Sequence, residues 1–133
     1  MIVKRIIVSF LFVLSLFSSF TWASNSDVKR AFDSQRSDVQ VEGVGEVVRV
    51  LPDDNKGSRH QKFILRLDNN LTILIAHNID LAPRIPNLRK GDSVTFYGEY
   101  EYSRKGGVVH WTHLDPRNRH THGWLKHNGR TYE

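Results

Sequence analysis

From residue 39 onward, apolar and polar positions follow a period of two. "VQVEGVGEVVRVL", residues 39–51, alternates through its first half and is rich in valine, which predicts a strand. Gly43 and Gly45 inside it mark a bend or bulge, as a long first strand coiling into a small barrel requires. "PDDNKGSR" then reads as a loop. "HQKFILRL" is a second strand with Gln61, Phe63, Leu65 and Leu67 on one face, and "DNN" is a tight turn. "LTILIAHN" is a third strand, with Leu71, Ile73 and Ile75 on one face. Pro83 and Pro86 exclude a central strand from "IDLAPRIPNLRKGD", where Leu81, Ile85 and Leu88 suit a short helix or turn capping the barrel. "SVTFYGEYEY", residues 93–102, is strand four, "SRKGG" is a hairpin loop, and "VVHWTHL", residues 108–114, is strand five. Loop character follows, up to a short end segment, "GWLKHNGRTYE". The expected class is all-β with small α content: a five-stranded OB-fold-like Greek-key barrel.

Ahead of the strands the period changes. Val28, Ala31 and Phe32 share one face of a short helix that Ser26 or Asp27 would cap. Earlier still, Lys4 and Arg5 precede an apolar run from Ile6 to Phe20, and "TWA" supplies small residues at Thr21 and Ala23. This is the form of a cleaved secretory signal peptide. The run is about fifteen residues, short of the ~20 that span a bilayer, so no membrane span is expected after cleavage. The expected organisation is a signal peptide over 1–23, an N-terminal helix and linker over 24–38, and the barrel with a C-terminal extension over 39–133. The protein would be exported, to the periplasm or the extracellular space.

Composition narrows the chemistry. The 133 residues carry a formal charge of +5, and losing Lys4 and Arg5 lowers it to +3, well below the charge density of a dedicated nucleic-acid binder. The chain has no cysteine, which excludes thiol nucleophiles, CxxC redox chemistry and thiolate metal sites. "KGG" at 105–107 lacks the GxxxxGK[ST] pattern and is a hairpin loop, and no GxSxG element is present.

The stretches "GSRHQKFIL", "IAHNIDLAPRIP", "GDSVTFYGEYEYSRKGGVVHWTHLDP" and "GWLKHNG" resemble a family of short exported bacterial proteins, the domain of unknown function DUF3465. The resemblance covers about residues 32–132 and implies export and a small barrel, but no activity. The family pattern often has a histidine where this chain has Leu114, which argues against position 114 as a metal ligand. A fainter likeness to staphylococcal-type nucleases stays at the level of the fold, since their paired acidic ligands have no matching context here.

Five of the seven histidines lie between His110 and His127. Strand alternation puts His110 with Thr112 on one face and Trp111 with His113 on the other. His113 then pairs with Asp115, and His120 or His122 would complete a site for a divalent transition metal. His113, Asp115 and His120 are therefore the metal candidates. His60 begins strand two and His77 ends strand three, so both belong to one end of that hairpin, near Asn78 and Asp80. Because histidine titrates near neutral pH, His60, His77 and His113 are the candidates for acid–base catalysis. Lys62, Arg66, Tyr100, Tyr102, Trp111 and Trp124 are the candidates for binding, as aromatic rings stack on sugars or bases and cations meet phosphates. Glu99 and Glu101 would oppose a polyanion on their face.

The expected function is an exported OB-fold binding module for an oligosaccharide, a nucleic acid or a protein, in an oligomeric state the sequence leaves open. The alternative is a metal-dependent hydrolase of phosphodiesterase or nuclease type, using a His/Asp cluster to activate water. A structural or inhibitory protein acting through a barrel edge is a third reading.

Overall fold

A computed structural model describes residues 25–133. The expected leader over residues 1–23 lies outside the described residues, and no described helix is long and apolar enough to cross a membrane. The chain forms α1 (Ser26–Asp33), β1 (Val39–Val50), β2 (His60–Arg66), β3 (Thr72–Asn78), β4 (Ser93–Glu101), β5 (Val108–His110), β6 (Trp124–His127) and β7 (Arg130–Tyr132). The class is all-β with one short helix, as the alternation predicts.

β1 holds β4 through Val39–Glu46 and β2 through Glu46–Val50, with a bulge between Val47 and Arg49. β2 pairs with β3, β3 runs parallel to β5, and β5 pairs with β4, so the ring β1-β2-β3-β5-β4 closes on itself. This is the order and the parallel β3–β5 junction of the OB-fold. Inward positions on the strands supply the core: Val41 and Val47, Phe63 and Leu65, Ile73 and Ile75, Phe96 and Tyr100, and Val109. Burying such side chains stabilises the fold by about 1.5–3 kcal/mol each.

The connection from β3 to β4 contains turns and no helix. Pro83 and Pro86 withhold the amide hydrogens a helix would need. Ile85 is buried beneath the barrel, Leu88 packs against the core, and Leu81 is exposed. The Gln61 side chain bonds both the N–H and the C=O of Ile85 at 2.9 Å and fixes that plug in place.

Two elements depart from the expected bounds. β5 ends at His110, because Trp111 adopts a left-handed φ of 54°, which a strand cannot contain. The end segment is a hairpin, β6–β7, added to the edge of β4 through Thr95–Tyr97 and turning at Asn128 and Gly129. Both turn residues have positive φ, 49° and 77°, as a two-residue hairpin turn of type I′ demands. At the other end, α1 buries Val28 and Ala31 against the barrel.

Candidate functional site

Residues that alternate inward to the core leave a second set on the outer face of β2, β3, β5 and β4. His60 and Lys62 project from β2, Ala76 and Asn78 from β3, Val108 and His110 from β5, and Glu99 and Glu101 from β4. The short side chains of Ala76 and Val108 floor a cavity of about 300 Å³ walled by Asp54, His60 and Lys62 on one flank and by His110 and Glu101 on the other. A smaller cavity of about 160 Å³ shares His60 and His110 and runs on to Asn78, Leu81, Trp111 and His113. The two form one groove. Asp54 belongs to the β1–β2 loop, where it pairs with His60 through backbone hydrogen bonds of 3.0 and 2.9 Å, and its carboxylate lies 3.8 Å from Lys62 Nζ.

At one edge of this groove, carboxylates and imidazoles converge. The β4–β5 register sets Glu99 directly opposite His110. His110 Nε2 lies 3.3 Å from Glu99 Oε2 and 3.3 Å from Glu101 Oε1. Glu99, Glu101 and His110 each offer a ligand atom within 4.8 Å of the others, so this trio is the described set able to hold a metal ion. His120 Nε2 meets the second oxygen of the same carboxylate, Glu99 Oε1, at 3.3 Å.

His120 is brought there by a folded loop. Asp115 accepts hydrogen bonds from the N–H groups of Arg117, Arg119 and His120 at 3.0, 2.9 and 2.8 Å. Those amides lower the Asp115 pKa below the usual carboxylate range. The Trp111 ring stacks on the His120 ring at 4.0 Å and 10°. Gly123 closes the loop by donating its N–H to His113 O at 2.9 Å, and it packs so closely that a Cβ there would lie 1.9 Å from Trp111 O.

The structure distributes the residues expected from sequence among several places. His60 and His77 do occupy one end of the β2–β3 hairpin, but on opposite faces. His60 stands opposite Asn78 and faces out; His77 stands opposite Gln61 and is fully buried. Burial pushes the His77 pKa down to about 4. His113 is buried at the end of the groove, where its Nδ1 donates to Leu114 O at 2.6 Å. Asp115 spends both carboxylate oxygens on its own loop, and His120 lies on Glu99, so His113, Asp115 and His120 do not share one centre.

Of the binding candidates, Lys62 lines the groove and Trp111 ends it. Arg66 is at the far end of β2, and Tyr100 is in the core, donating its hydroxyl hydrogen to Gly106 O at 2.7 Å. Tyr102 packs against Phe32 of α1 at 5.8 Å, and Trp124 stacks on Tyr97 at 5.7 Å beneath Lys126, farther along β4 from Glu99.

Reading the sequence missed Glu99, Glu101 and His110 as a group. The signal was present: E-x-E puts both carboxylates on the outward face of strand four, and counting back through the hairpin loop sets His110 beside them.

No curated protein matches the chain. A family model does match, over residues 10–133, nearly the whole sequence, and the chain belongs to that family, DUF3465, described as a protein of unknown function.

Proposed function

We propose that the protein is an exported binding module that takes a hydroxyl-rich ligand, a segment of an oligosaccharide, in the groove across β2, β3 and β5. One observation carries this reading: the groove walls alternate in hydrogen-bonding character. Asp54 and Glu101 accept, Lys62 donates, and the imidazoles of His60 and His110 do either. Sugar hydroxyls are both donors and acceptors and suit such walls. A polyanion would meet Asp54, Glu99 and Glu101 along the same face. The groove volume of about 300 Å³ is at the lower end for a small-ligand site, and outer faces of strands two and three are where OB-folds bind oligomers.

Export is supported by the positive, apolar and small-residue succession of residues 1–23. The mass of protein recovered outside the bacterial cytoplasm tests it: a chain beginning at Ser24 is expected, and an intact Met1 in that fraction would sink the cleavage reading.

Titrating neutral and amino-sugar oligomers while following tryptophan emission tests the binding. Saturable change is expected, with loss in Lys62→Ala and His60→Ala. Equal binding by both variants, or binding of a single-stranded oligonucleotide alone, would overturn the reading.

A second reading, metal-dependent hydrolysis, is favoured by one specific observation. Glu101 and His110 belong to the carboxylate–imidazole cluster and to the groove wall at once. An ion held there would stand beside a bound substrate. Turnover of phosphodiester or glycosidic substrates on addition of zinc, absent in His110→Ala, would establish this reading over simple binding.

A further inference from the structure

We infer that Glu99, Glu101 and His110 form a site for one divalent first-row transition metal ion, best suited to zinc, and that His120 positions the Glu99 carboxylate. The site stands whatever the groove takes.

The spacing of the ligand atoms is the first argument. His110 Nε2 lies 3.3 Å from an oxygen of Glu99 and 3.3 Å from an oxygen of Glu101. Charge-assisted hydrogen bonds between imidazolium and carboxylate close to about 2.7–2.9 Å. Zinc bonds nitrogen and oxygen at ~2.0–2.1 Å, which makes the edge of a ligand tetrahedron ~3.3–3.4 Å. The two His110 separations match such edges, and the one to Glu101 is also within hydrogen-bond reach.

Proton counting is the second. A single Nε2–H points at one acceptor, whereas His110 Nε2 faces two carboxylates at equal distance. An ion between the three atoms satisfies all of them. Among the described residues, the ion pairs of Glu99 and Glu101 are to histidine alone, with no lysine or arginine neutralising them. Two carboxylates side by side on one strand face repel unless something positive lies between them.

The frame is rigid. Glu99, Glu101 and His110 stand on hydrogen-bonded strands, which hold ligands more closely than loops do. His120 is fixed twice more, by the stack with Trp111 and by donating from Nδ1 to Thr121 O at 2.8 Å; because a carboxylate only accepts, Nε2 must carry the second ring hydrogen to bond Glu99. Such outer partners orient metal-bound carboxylates.

The donor set chooses the ion class. One imidazole nitrogen and two carboxylate oxygens suit zinc and its first-row neighbours, whereas calcium and magnesium require shells built of oxygen. Three protein ligands leave a fourth tetrahedral position, the pattern of zinc sites that bind exogenous groups. Glu101 and His110 also line the groove, so an ion held by them would lie at its wall.

The test is calorimetric titration of the chelator-stripped protein with zinc chloride, paralleled by the visible spectrum with cobalt(II), which reports four-coordinate geometry. One zinc per chain is expected, undisplaced by excess magnesium. His110→Ala and Glu99→Gln should abolish it with unchanged circular dichroism, and Glu101→Gln provides a second carboxylate variant should Glu99→Gln fold poorly. His120→Ala should weaken binding roughly 10–100-fold without abolishing it, and His122→Ala, in the exposed loop, should bind as the parent does. No saturable binding by the parent, or equal binding by the folded His110→Ala protein, would overturn the inference. A parent protein that binds one zinc but no sugar oligomer would overturn the groove reading alone.

Discussion

Thr112 Oγ1 lies 2.7 Å from His77 Nδ1, and both residues are fully buried. The other nitrogen, Nε2, faces Pro83 O at 2.9 Å, and a carbonyl only accepts. Nε2 therefore carries the ring hydrogen, Nδ1 accepts from the threonine hydroxyl, and the ring is neutral. The pair ties the end of β3 to the segment that carries Trp111.

His77 makes stability depend on pH. Burial, with lesser effects of His113 and His60, lowers its pKa from 6.5 to about 4. Between those values the unfolded chain binds more protons than the folded one. Stability is thus full above about pH 6.5 and falls as pH drops toward 4, by on the order of 3 kcal/mol from this group. Denaturant unfolding across that window should show the slope. His77→Gln should be less stable at neutral pH and flatter in acid, and an unchanged acid slope would assign the effect elsewhere.

Asn25 fastens α1 to the barrel. Its side-chain amide donates to Val44 O at 2.9 Å and to Asp68 Oδ1 at 2.8 Å, while its oxygen accepts the Val44 N–H at 2.9 Å. Asn25→Ala should cost about 1–3 kcal/mol in thermal unfolding and speed proteolysis ahead of residue 39. A variant cut no faster than the parent would show that Val28 and Ala31 hold the helix unaided.

Gly123→Ala should disturb the groove from outside it. The new methyl carbon would fall 1.9 Å from Trp111 O and 2.6 Å from Tyr97 O, both backbone atoms with no room to swing aside. Overpacking of this kind costs about 1–3 kcal/mol. The melting temperature should drop, and tryptophan emission should shift as Trp111 parts from His120.

Asp115→Ala should loosen the loop that delivers His120. Amide exchange at Arg117, Arg119 and His120 should rise roughly tenfold, as three hydrogen bonds are lost together. Because those amides depress the Asp115 pKa, the parent loop should hold at mildly acidic pH and relax only as pH falls through the lowered value. Uniform exchange between variant and parent would remove Asp115 from this role.

The regular strands were legible because one face of each is buried, so period two survives in the sequence: Phe63 and Leu65, and Ile73 and Ile75, face inward as the alternation predicts. Strand five was read four residues too long. Nothing in "VVHWTHL" announces a left-handed tryptophan, and once Trp111 breaks the strand, alternation no longer relates His113 to Asp115. The C-terminal hairpin is absent from the elements the sequence predicts, which give "GWLKHNGRTYE" only as an end segment, although its Asn-Gly is a hairpin signal. The shared end of His60 and His77 followed from the hairpin, whereas their opposite faces required the register. His120 was beyond reach, because a loop wound on Asp115 leaves no periodic trace.

The parallel junction of β3 with β5 is short, pairing Leu74 with Val108 and Ile75 with Val109. Like the longer β1–β4 junction, it joins segments far apart in the chain, and it is the shorter of the two seams by which the barrel shuts. The groove straddles this seam, with His60 and Lys62 on one bank and His110 and Glu101 on the other. A ligand lodged there would work as a clasp: it would fasten the two lips of the cylinder, and its occupancy would be read out as resistance of the whole barrel to springing open.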